Sequence, residues 1–416
     1  MYIYDKYNAT NCNAILELSK LIKQINIYVK KYVNKIYISE SAANDLTTKE
    51  ILKQHPGSLH FVIPDDYNLA KEIKGEDPKK ILFLTHSKGQ IIKDCPGTAE
   101  SYLCCRYQVI NQTQNCPLNC TYCILQFYLN QPATIIYTDF DSVFEELQKK
   151  LKSNPKRFNR IGTGELADSL ALPGSRLFAK RAIRFFADIP NALFELKTKT
   201  VKIEFLLSIP HNEHTVLSWS LNPTEIIKRE EHSAASLKSR LSAASKAEKA
   251  GFLLGFHFDP IICCPNWENL YCELVNELYS SIDTSRIAWI SLGSLRFPAS
   301  MKDKIIEQYP ESNLVYGEMI EGMDGKLRYA RPVRIPMYHL VYQKLINIEN
   351  PPFIYFCMES PDVWKEVMGF SPSSNAHLDY MFAESLHNRF NHIVADKPIL
   401  EDYDRGFIMS KVTKVN

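Results

Sequence analysis

Hydrophobic and polar positions in the middle of the chain follow two alternating periods. Short apolar runs typical of buried strands recur between Tyr107 and Leu295, and segments with helical spacing separate them. The predicted strands are residues 107–111, 160–162, 192–197, 215–221, 252–260 and 287–295. The predicted helices are residues 138–151, 176–186, 202–207, 234–250, 267–281 and 302–308.

This regular alternation predicts six β-α units with parallel strands and right-handed crossovers. Six units are too few to close an eight-stranded barrel. We therefore predict an α/β fold built on an open, partial TIM-type barrel of the (β/α)6 kind. In such sheets the functional residues lie at the carboxyl ends of the strands.

The two ends of the chain do not follow this alternation. Residues 14–33 have helical spacing, so we predict a mainly helical N-terminal region over 1–75, with a short strand at the start of KIYISESAAND. The partial barrel is assigned to 76–310. A C-terminal hairpin and extension is assigned to 311–416, hairpin-like over 315–342, with a strand over 351–358 and a less regular tail from Ser371.

The stretch NCPLNCTYC directly follows the first predicted strand. It places Cys116, Cys120 and Cys123 in a Cys-x3-Cys-x2-Cys spacing. Three neighbouring thiolates can hold three irons of a [4Fe–4S] cluster and leave the fourth iron open. The alternatives are a zinc site or reduced structural thiols, although zinc normally takes four ligands and no matching Cys/His pair follows nearby.

Composition limits the remaining possibilities. The 49 Lys and Arg residues balance 47 Asp and Glu residues, so any nucleic-acid contact needs a local patch. MYIYDKYNATNC does not resemble a signal peptide, and no run of 18 apolar residues predicts a membrane span. An odd number of cysteines, 11, without an export signal favours a reducing cytoplasm over a disulfide framework.

The cysteine stretch resembles the cluster loop of radical S-adenosylmethionine (radical SAM) enzymes. The resemblance implies a [4Fe–4S] cluster whose open iron binds S-adenosylmethionine, and an external electron donor such as flavodoxin or ferredoxin. It also implies that the cluster electron yields a 5′-deoxyadenosyl radical. Radical enzymes can use a thiol as a hydrogen-atom donor, which draws attention to the adjacent pairs Cys104–Cys105 and Cys263–Cys264.

From about Lys79 to Met358 the chain resembles the spore photoproduct lyase family, whose members repair a thymine dimer in spore DNA. The segments that carry the resemblance are NCPLNCTYCILQFYLNQP, KTKT, Ser220 with Asn222, RLSAASKAEKAGFLLGFHFDPI, NWENLY and Arg328 with Tyr329. The resemblance implies lyase-like DNA repair. Alternatives are radical modification of RNA or a small molecule, and a nucleic-acid-binding iron–sulfur protein without turnover.

The resemblance also implies a set of cofactor-binding residues. GTGE at the second strand end looks like the Gly-Gly-Glu motif of radical SAM enzymes, where glycines admit the cofactor and the carboxylate accepts a bond from its ammonium group. The implied set is Gly162, Gly164, Glu165, Lys199 (or Lys197), Ser220, Asn222 and Arg240. The alternative for each is a structural or solvated residue. His257 and Asp259 alternate on the fifth strand and share a face, as pocket residues or as a satisfied core histidine.

Two departures from the family concern the end of its reaction. Glu165 stands where the family has its hydrogen-donor cysteine, beside Ala167 in place of a serine. Ile124 replaces a tyrosine of the radical relay, whereas Tyr122 is retained as a predicted catalytic residue together with Glu165. A carboxylate cannot donate a hydrogen atom as a thiol can, so the family's relay is not expected to operate unchanged.

A locally basic stretch follows the barrel. A nucleic-acid-binding hairpin would use cationic side chains for phosphates and an aromatic ring against a base. The residues proposed for this role are Lys326, Arg328, Tyr329, Arg331 and Arg334. The alternative is a solvated surface hairpin.

Overall fold

The structure is a computed structural model that describes residues 33–95, 101–128 and 131–404. The helix predicted over 14–33 lies outside the described residues except for its last position, Val33. The elements of the N-terminal part are β1 (Lys35–Ser39), α1 (Leu46–Lys53), β2 (Leu59–Ile63), α2 (Leu69–Glu72) and β3 (Ile81–Thr85).

Strands and helices alternate through the central part of the chain. The strands are β4 (Ile92–Asp94), β5 (Gln108–Ile110), β6 (Thr113–Gln114), β7 (Asn119–Cys120), β8 (Thr134–Tyr137), β9 (Asn159–Thr163), β10 (Ala192–Thr198), β11 (Thr215–Ser220), β12 (Glu231–His232), β13 (Leu253–Ile261) and β14 (Ile287–Ser294). The helices are α3 (Leu125–Tyr128), α4 (Phe140–Ser153), α5 (Pro173–Phe186), α6 (Thr224–Glu230), α7 (Leu237–Lys249) and α8 (Trp267–Ser281).

The C-terminal part adds a small antiparallel sheet, a further parallel strand and several helices. Its strands are β15 (Arg296–Pro298), β16 (Met319–Glu321), β17 (Lys326–Tyr329) and β18 (Phe353–Phe356). Its helices are α9 (Met301–Gln308), α10 (Arg331–Ile346), α11 (Pro361–Met368), α12 (Asn375–Arg389) and α13 (Glu401–Asp404).

The main sheet is a curled, open half-barrel. Its strand order is β18-β14-β13-β11-β10-β9-β5-β4. The six strands predicted from the alternation occupy neighbouring positions and pair in parallel. The parallel strand β18 extends one edge and the antiparallel β4 extends the other. The predicted α/β open partial barrel is therefore confirmed.

A second sheet packs beside the barrel in the order β2-β1-β3-β8-β6. Strand β1 is parallel to both β2 and β3, and β3 is parallel to β8. The prediction of a mainly helical region over 1–75 is wrong for the described residues 33–75, which contain two strands and two short helices. Strands β3, β6 and β8 follow residue 76, so this sheet joins both sides of the predicted boundary.

The core lies between the barrel strands and their outer helices. Phe178 and Phe186 of α5 are fully buried, and the Phe186 ring stacks on Phe194 of β10 at 4.8 Å between centroids. Burial of each such side chain contributes about 1.5–3 kcal/mol. Among the described residues, no helix has both the length and the apolar content needed to cross a bilayer.

The helix predicted over 202–207 is not present. Ile203, Leu206 and Ile209 are all buried, and this spacing of three imitates helical periodicity. The backbone instead forms successive turns, because the Leu206 amide donates to the Ile203 carbonyl at 2.8 Å and the Ile209 amide to the Leu206 carbonyl at 2.9 Å. A local pattern of three positions cannot separate these two structures.

The predicted hairpin over 315–342 ends earlier than expected. Strands β16 and β17 form the hairpin, and the helix α10 begins at Arg331. Pro332 lies in the first turn of α10, where its missing amide hydrogen is not needed. Arg331 and Arg334 therefore lie on a helix and not in the hairpin.

The tail predicted to be less regular contains the 15-residue helix α12. The Ser374 hydroxyl caps it by accepting a hydrogen bond from the His377 amide at 3.0 Å. Asp379 on this helix is buried in an ion pair with Arg157 at 2.8 Å. A charged residue on the inward face blurs the helical periodicity, which explains why the pattern missed this element.

Candidate functional site

A cavity of about 180 Å³ opens at the carboxyl ends of the barrel strands. It is called the cysteine cavity below. The loop after β5 and the ends of β9, β10, β11 and β13 line it, as expected for a barrel of parallel strands. Its polar lining residues are Cys116, Cys120, Tyr122, Cys123, Glu165, Asp168, Lys197, Thr198, Lys199, Ser220 and Asp259.

The cysteine loop is held in place by backbone contacts. Asn115 adopts φ +76°, a left-handed conformation that asparagine tolerates, and its side chain accepts a hydrogen bond from the Cys116 amide at 2.9 Å. The Gln126 side chain donates to the Cys120 carbonyl at 2.7 Å. Strand β7 pairs with β12, which places Cys120 opposite Glu231. These contacts direct the three thiols into one cavity.

The three thiols line one cavity, and three neighbouring thiolates are a donor set for three irons of a [4Fe–4S] cluster. Within the described ranges, no group of three or more His, Cys, Asp or Glu side chains is placed to hold a single metal ion. Burial raises the pKa of Cys116 to about 12, so metal binding at this site would release thiol protons.

Two glycines make room at the end of β9. A Cβ on Gly162 would collide with the Glu195 carbonyl oxygen and the Tyr107 hydroxyl. Gly164 adopts φ +98°, and a Cβ there would lie 3.2 Å from the Lys197 carbonyl oxygen. Both positions therefore require glycine. The local backbone brings the next residue, Glu165, into the cavity wall.

Glu165 presents an unsatisfied carboxylate oxygen. In the part of the chain that the structure describes, its buried Oε2 has no hydrogen-bond partner. Burial raises the pKa of Glu165, although a hydrogen bond from Asn111 and the charge of Lys197 oppose this shift. A buried acceptor without a donor is costly unless a ligand supplies one. The position therefore suits a ligand that carries a cationic hydrogen-bond donor.

Both lysines left open by the KTKT repeat line the cysteine cavity. The charge of Lys197 opposes the rise in the pKa of Glu165 and, with Arg296, lowers the pKa of Asp259, so Lys197 lies on the carboxylate side. Lys199 lies on the cysteine side, with its ammonium 5.8 Å from the centroid of the Tyr122 ring. Burial would lower the pKa of Lys199, but nearby anionic groups raise it above its usual value.

A buried polar network supports the wall behind Lys199. Tyr122 donates a hydrogen bond to Glu231, which forms a fully buried ion pair with Arg240. The Asn222 amide donates to Glu231 at 3.0 Å and its carbonyl accepts from Tyr271 at 3.0 Å. Burial by itself would raise the pKa of Glu231, but the charges of Arg240 and Lys199 lower it.

This network shows where three of the site residues predicted from the sequence lie relative to the cavity. Tyr122 lines the cavity, whereas Asn222 and Arg240 lie behind the wall and do not line it. The Arg240 guanidinium also donates to the Ser220 carbonyl at 2.8 Å, so it holds the strand end in place. Sequence reasoning missed Glu231, because one carboxylate in the run EEH carries no distinguishing signal.

His257 and Asp259 share one face of β13, as predicted from their alternation. Asp259 lines the cysteine cavity, and His257 lies deeper in the barrel. The His257 ring contacts Glu195 at 2.9 Å and Ser291 at 2.6 Å. Burial lowers the pKa of His257 although Glu195 opposes the shift. His257 is therefore a satisfied core histidine.

The basic residues after the barrel do not form an open cationic patch. Arg328, Tyr329 and Arg334 are only 1%, 5% and 5% exposed. Arg328 pairs with Asp324 at 2.6 Å, and Arg334 pairs with Glu359 at 3.2 Å. The side chains of Lys326 and Arg331 are more exposed, at 16% and 48%, and each pairs with a carboxylate. Nucleic-acid binding at this site stays a prediction.

The sequence model of the family described as "Spore photoproduct lyase" matches residues 100–345, which is more than half of the chain. Spore photoproduct lyase of Geobacillus sp. is 30% identical over 203 residues, covering 48% of this chain and 59% of that protein. The Bacillus subtilis enzyme is 28% identical over 206 residues, covering 49% and 60%. The match thus spans about three-fifths of these curated relatives.

Solved structures agree with the observed fold. A spore photoproduct lyase variant with bound AdoMet and dinucleoside spore photoproduct covers 79% of this chain and 100% of its own, with a TM-score of 0.67 and 24% identity. A variant with one tyrosine replaced by phenylalanine gives a TM-score of 0.68 at 23% identity. At this identity the likeness establishes the shared fold.

Proposed function

Because this chain belongs to the spore photoproduct lyase family, we propose that it is a radical SAM enzyme with a [4Fe–4S] cluster and S-adenosylmethionine as cofactors. The observation that carries the proposal is the cysteine cavity. Three cysteines and the unsatisfied Glu165 carboxylate line one cavity at the carboxyl ends of the barrel strands. When bound and reduced, the cluster would supply one electron for the reductive cleavage of S-adenosylmethionine.

The chain's own residues have separate roles in this proposal. Cys116, Cys120 and Cys123 hold the cluster, and Glu165 accepts hydrogen bonds from the cofactor's ammonium group. Lys197 and Lys199 supply positive charge for its carboxylate. The supporting set is Gly162, Gly164, Ser220, Asn222, Arg240 and Tyr122. Of these, Asn222 and Arg240 act through Glu231 and the β11 end, because neither lines the cavity.

We further propose a nucleic-acid substrate, most simply a DNA lesion of the kind named in the relatives' titles. The support is the family membership and the shared fold. The resemblance implies that Glu165 and Ile124 stand at the positions of the family's thiol and relay tyrosine, and this departure supports one alternative, radical modification of RNA or a small molecule. A one-electron donor of the flavodoxin or ferredoxin class belongs to the same proposal. A reducing cytoplasm, expected from the odd number of cysteines, belongs to the same proposal.

Formation of 5′-deoxyadenosine tests the proposed reaction. The cluster is reconstituted without oxygen, and S-adenosylmethionine and dithionite are added with dinucleoside spore photoproduct, crude RNA or a metabolite pool. We expect 5′-deoxyadenosine in chromatograms, with a greater yield when the correct substrate is present. Its complete absence under all these conditions would favour a nucleic-acid-binding iron–sulfur protein without turnover.

Glu165→Gln is expected to weaken S-adenosylmethionine binding while leaving cluster absorbance unchanged. The neutral amide loses a charge-assisted hydrogen bond of about 1.5–3 kcal/mol, so the Kd should rise about 10- to 150-fold. Titration calorimetry on the cluster-loaded protein measures this change. The matched control is Glu145→Gln on the exposed side of α4. An unchanged Kd for Glu165→Gln would remove this residue from the site.

A further inference from the structure

A second, larger cavity lies between the sheet that contains β1 and the carboxyl end of the barrel. Its volume is about 720 Å³, within the usual range for a site that encloses a small organic ligand. It is called the interface cavity below. The loop between α1 and β2 forms one side, and the loops after β9 and β10 form the other. Leu118 lines both this cavity and the cysteine cavity, so the cysteine loop separates the two.

The ionisable groups that line the interface cavity are all bases. Arg176 and Lys202 lie on the barrel side and His55 on the opposite side, and no aspartate or glutamate of the described residues lines the cavity. Burial and the charge of Arg176 lower the pKa values of both His55 and Lys202, although Asp168 opposes the shift of Lys202. The three bases are therefore close enough to repel one another when charged. An anion bound among them would offset this repulsion.

Two of these bases have hydrogen-bonding capacity left for a ligand. Arg176 donates through Nη1 to the carbonyls of Leu170 and Ala171, each at 3.1 Å, and forms no ion pair within residues 33–95, 101–128 and 131–404. These two bonds orient the guanidinium while its charge stays without a carboxylate. In the same ranges the buried Nε2 atom of His55 has no hydrogen-bond partner. A buried polar atom without a partner is costly unless a ligand supplies one.

The backbone adds positive potential on the barrel side of the interface cavity. Pro173, the first residue of the 14-residue helix α5, lines the cavity, and no side chain caps this helix end. Ala235 also lines the cavity, shortly before the start of the 13-residue helix α7. The N-terminal end of a helix carries about half an elementary positive charge and favours phosphate groups. The helix ends and the bases therefore favour the same ligand chemistry.

The remaining walls of the interface cavity are mainly apolar. They include Pro56 on one side, Pro117 and Leu118 of the cysteine loop, and Leu172 and Val201 on the barrel side. An inorganic anion would leave these walls in contact with water, whereas an organic ligand would cover them. Three bases and two helix ends suit a group with about two negative charges, such as a phosphate monoester. The cavity therefore fits a phosphate group attached to an organic body.

We propose that the interface cavity binds an organic phosphate of nucleotide size, with Arg176, Lys202 and His55 around the phosphate group and the apolar walls against the rest of the molecule. A free nucleotide and the end of a nucleic-acid strand present the same phosphate chemistry. The site is separate from the cysteine cavity, and its occupancy needs no radical reaction. The proposal therefore goes beyond the proposed function and does not depend on it.

Calorimetric titration of the full chain, with and without a reconstituted cluster, tests the proposal in the absence of S-adenosylmethionine and reductant. The probes are nucleoside 5′-monophosphates, the matching nucleosides without phosphate, and a 5′-phosphorylated single-stranded oligonucleotide. We expect a phosphate-bearing probe to bind at least about 10-fold more tightly than its nucleoside. Arg176→Gln and His55→Ala should each raise its Kd by about 10-fold or more. The matched control is Arg184→Gln, at an exposed position of the same helix α5, which should leave the Kd unchanged.

Hydrogen–deuterium exchange locates the bound probe. Peptides that contain residues 54–58, 117–118 and 200–202 should exchange more slowly in its presence. Binding of free nucleotides would identify a small ligand, and binding of the oligonucleotide alone would identify a nucleic-acid strand. The proposal is overturned if no phosphate-bearing probe binds, if nucleotide and nucleoside bind equally, if protection is confined to other segments, or if both Arg176→Gln and His55→Ala keep the wild-type Kd. Nucleotide binding by a protein that never forms 5′-deoxyadenosine would contradict the proposed function alone.

Discussion

Cys120→Ala is expected to lose the iron–sulfur cluster and, with it, the formation of 5′-deoxyadenosine. Cys120 is the most constrained of the three cysteines, because strand β7 pairs it with Glu231 and Gln126 binds its carbonyl. Changes to groups that only support a metal ligand already cost about 10- to 100-fold in affinity or activity. Removal of the ligand itself should exceed that loss.

Cluster absorbance, iron content and 5′-deoxyadenosine yield measure the effect of Cys120→Ala. The matched control is Cys272→Ala, which removes a partly buried thiol of the outer helix α8. Circular dichroism of both apoproteins separates cluster loss from misfolding. A full cluster in folded Cys120→Ala would contradict the assignment of Cys120 as a ligand.

Arg240→Ala is expected to lower the free energy of unfolding by about 3–5 kcal/mol, the usual cost of breaking a buried ion pair from one side. Neither Arg240 nor Glu231 has any exposed side-chain surface. Loss of the guanidinium leaves the Glu231 carboxylate buried with Lys199 as the remaining nearby cation. The hydrogen bond from Arg240 to the Ser220 carbonyl is lost as well.

The same helix provides the control for this prediction. Lys246, also on α7, pairs with Glu204 at 3.4 Å with both side chains more than half exposed. An exposed pair contributes about 0–1 kcal/mol, so Lys246→Ala should change stability little. Urea unfolding of the apoproteins measures both variants. Equal losses of stability in the two variants would show that the buried pair has no special role.

Several site residues were predictable because their signals are local. The spacing of Cys116, Cys120 and Cys123 is a property of nine consecutive residues. The residues GTGE and KTKT follow predicted strands, and parallel strands carry their carboxyl ends to one edge. Glu165, Lys197 and Lys199 accordingly meet in the cysteine cavity. Their positions could be predicted from the local sequence, because they do not depend on contacts with distant residues.

Other roles depended on contacts that no local pattern contains. Asn222 and Arg240 were predicted to touch the cofactor, but they bind Glu231 behind the cavity wall. Arg328 and Arg334 look like a cationic surface in the sequence, yet the remote partner Glu359 and the hairpin residue Asp324 neutralise them in buried pairs. The sequence shows that a residue is charged but does not show whether folding brings an oppositely charged residue next to it.

The sequence by itself determined the alternation of strands and helices, the order of the six central strands and the cysteine loop at their carboxyl edge. These features follow from hydrophobic periodicity and covalent spacing, which act over a few residues. Only the tertiary structure decided that Glu231 anchors the wall, that the basic hairpin is neutralised and that His55 and Arg176 line one cavity. The physical reason is that ion pairing and burial depend on residues brought together by folding, such as His55 and Arg176, which are far apart along the chain.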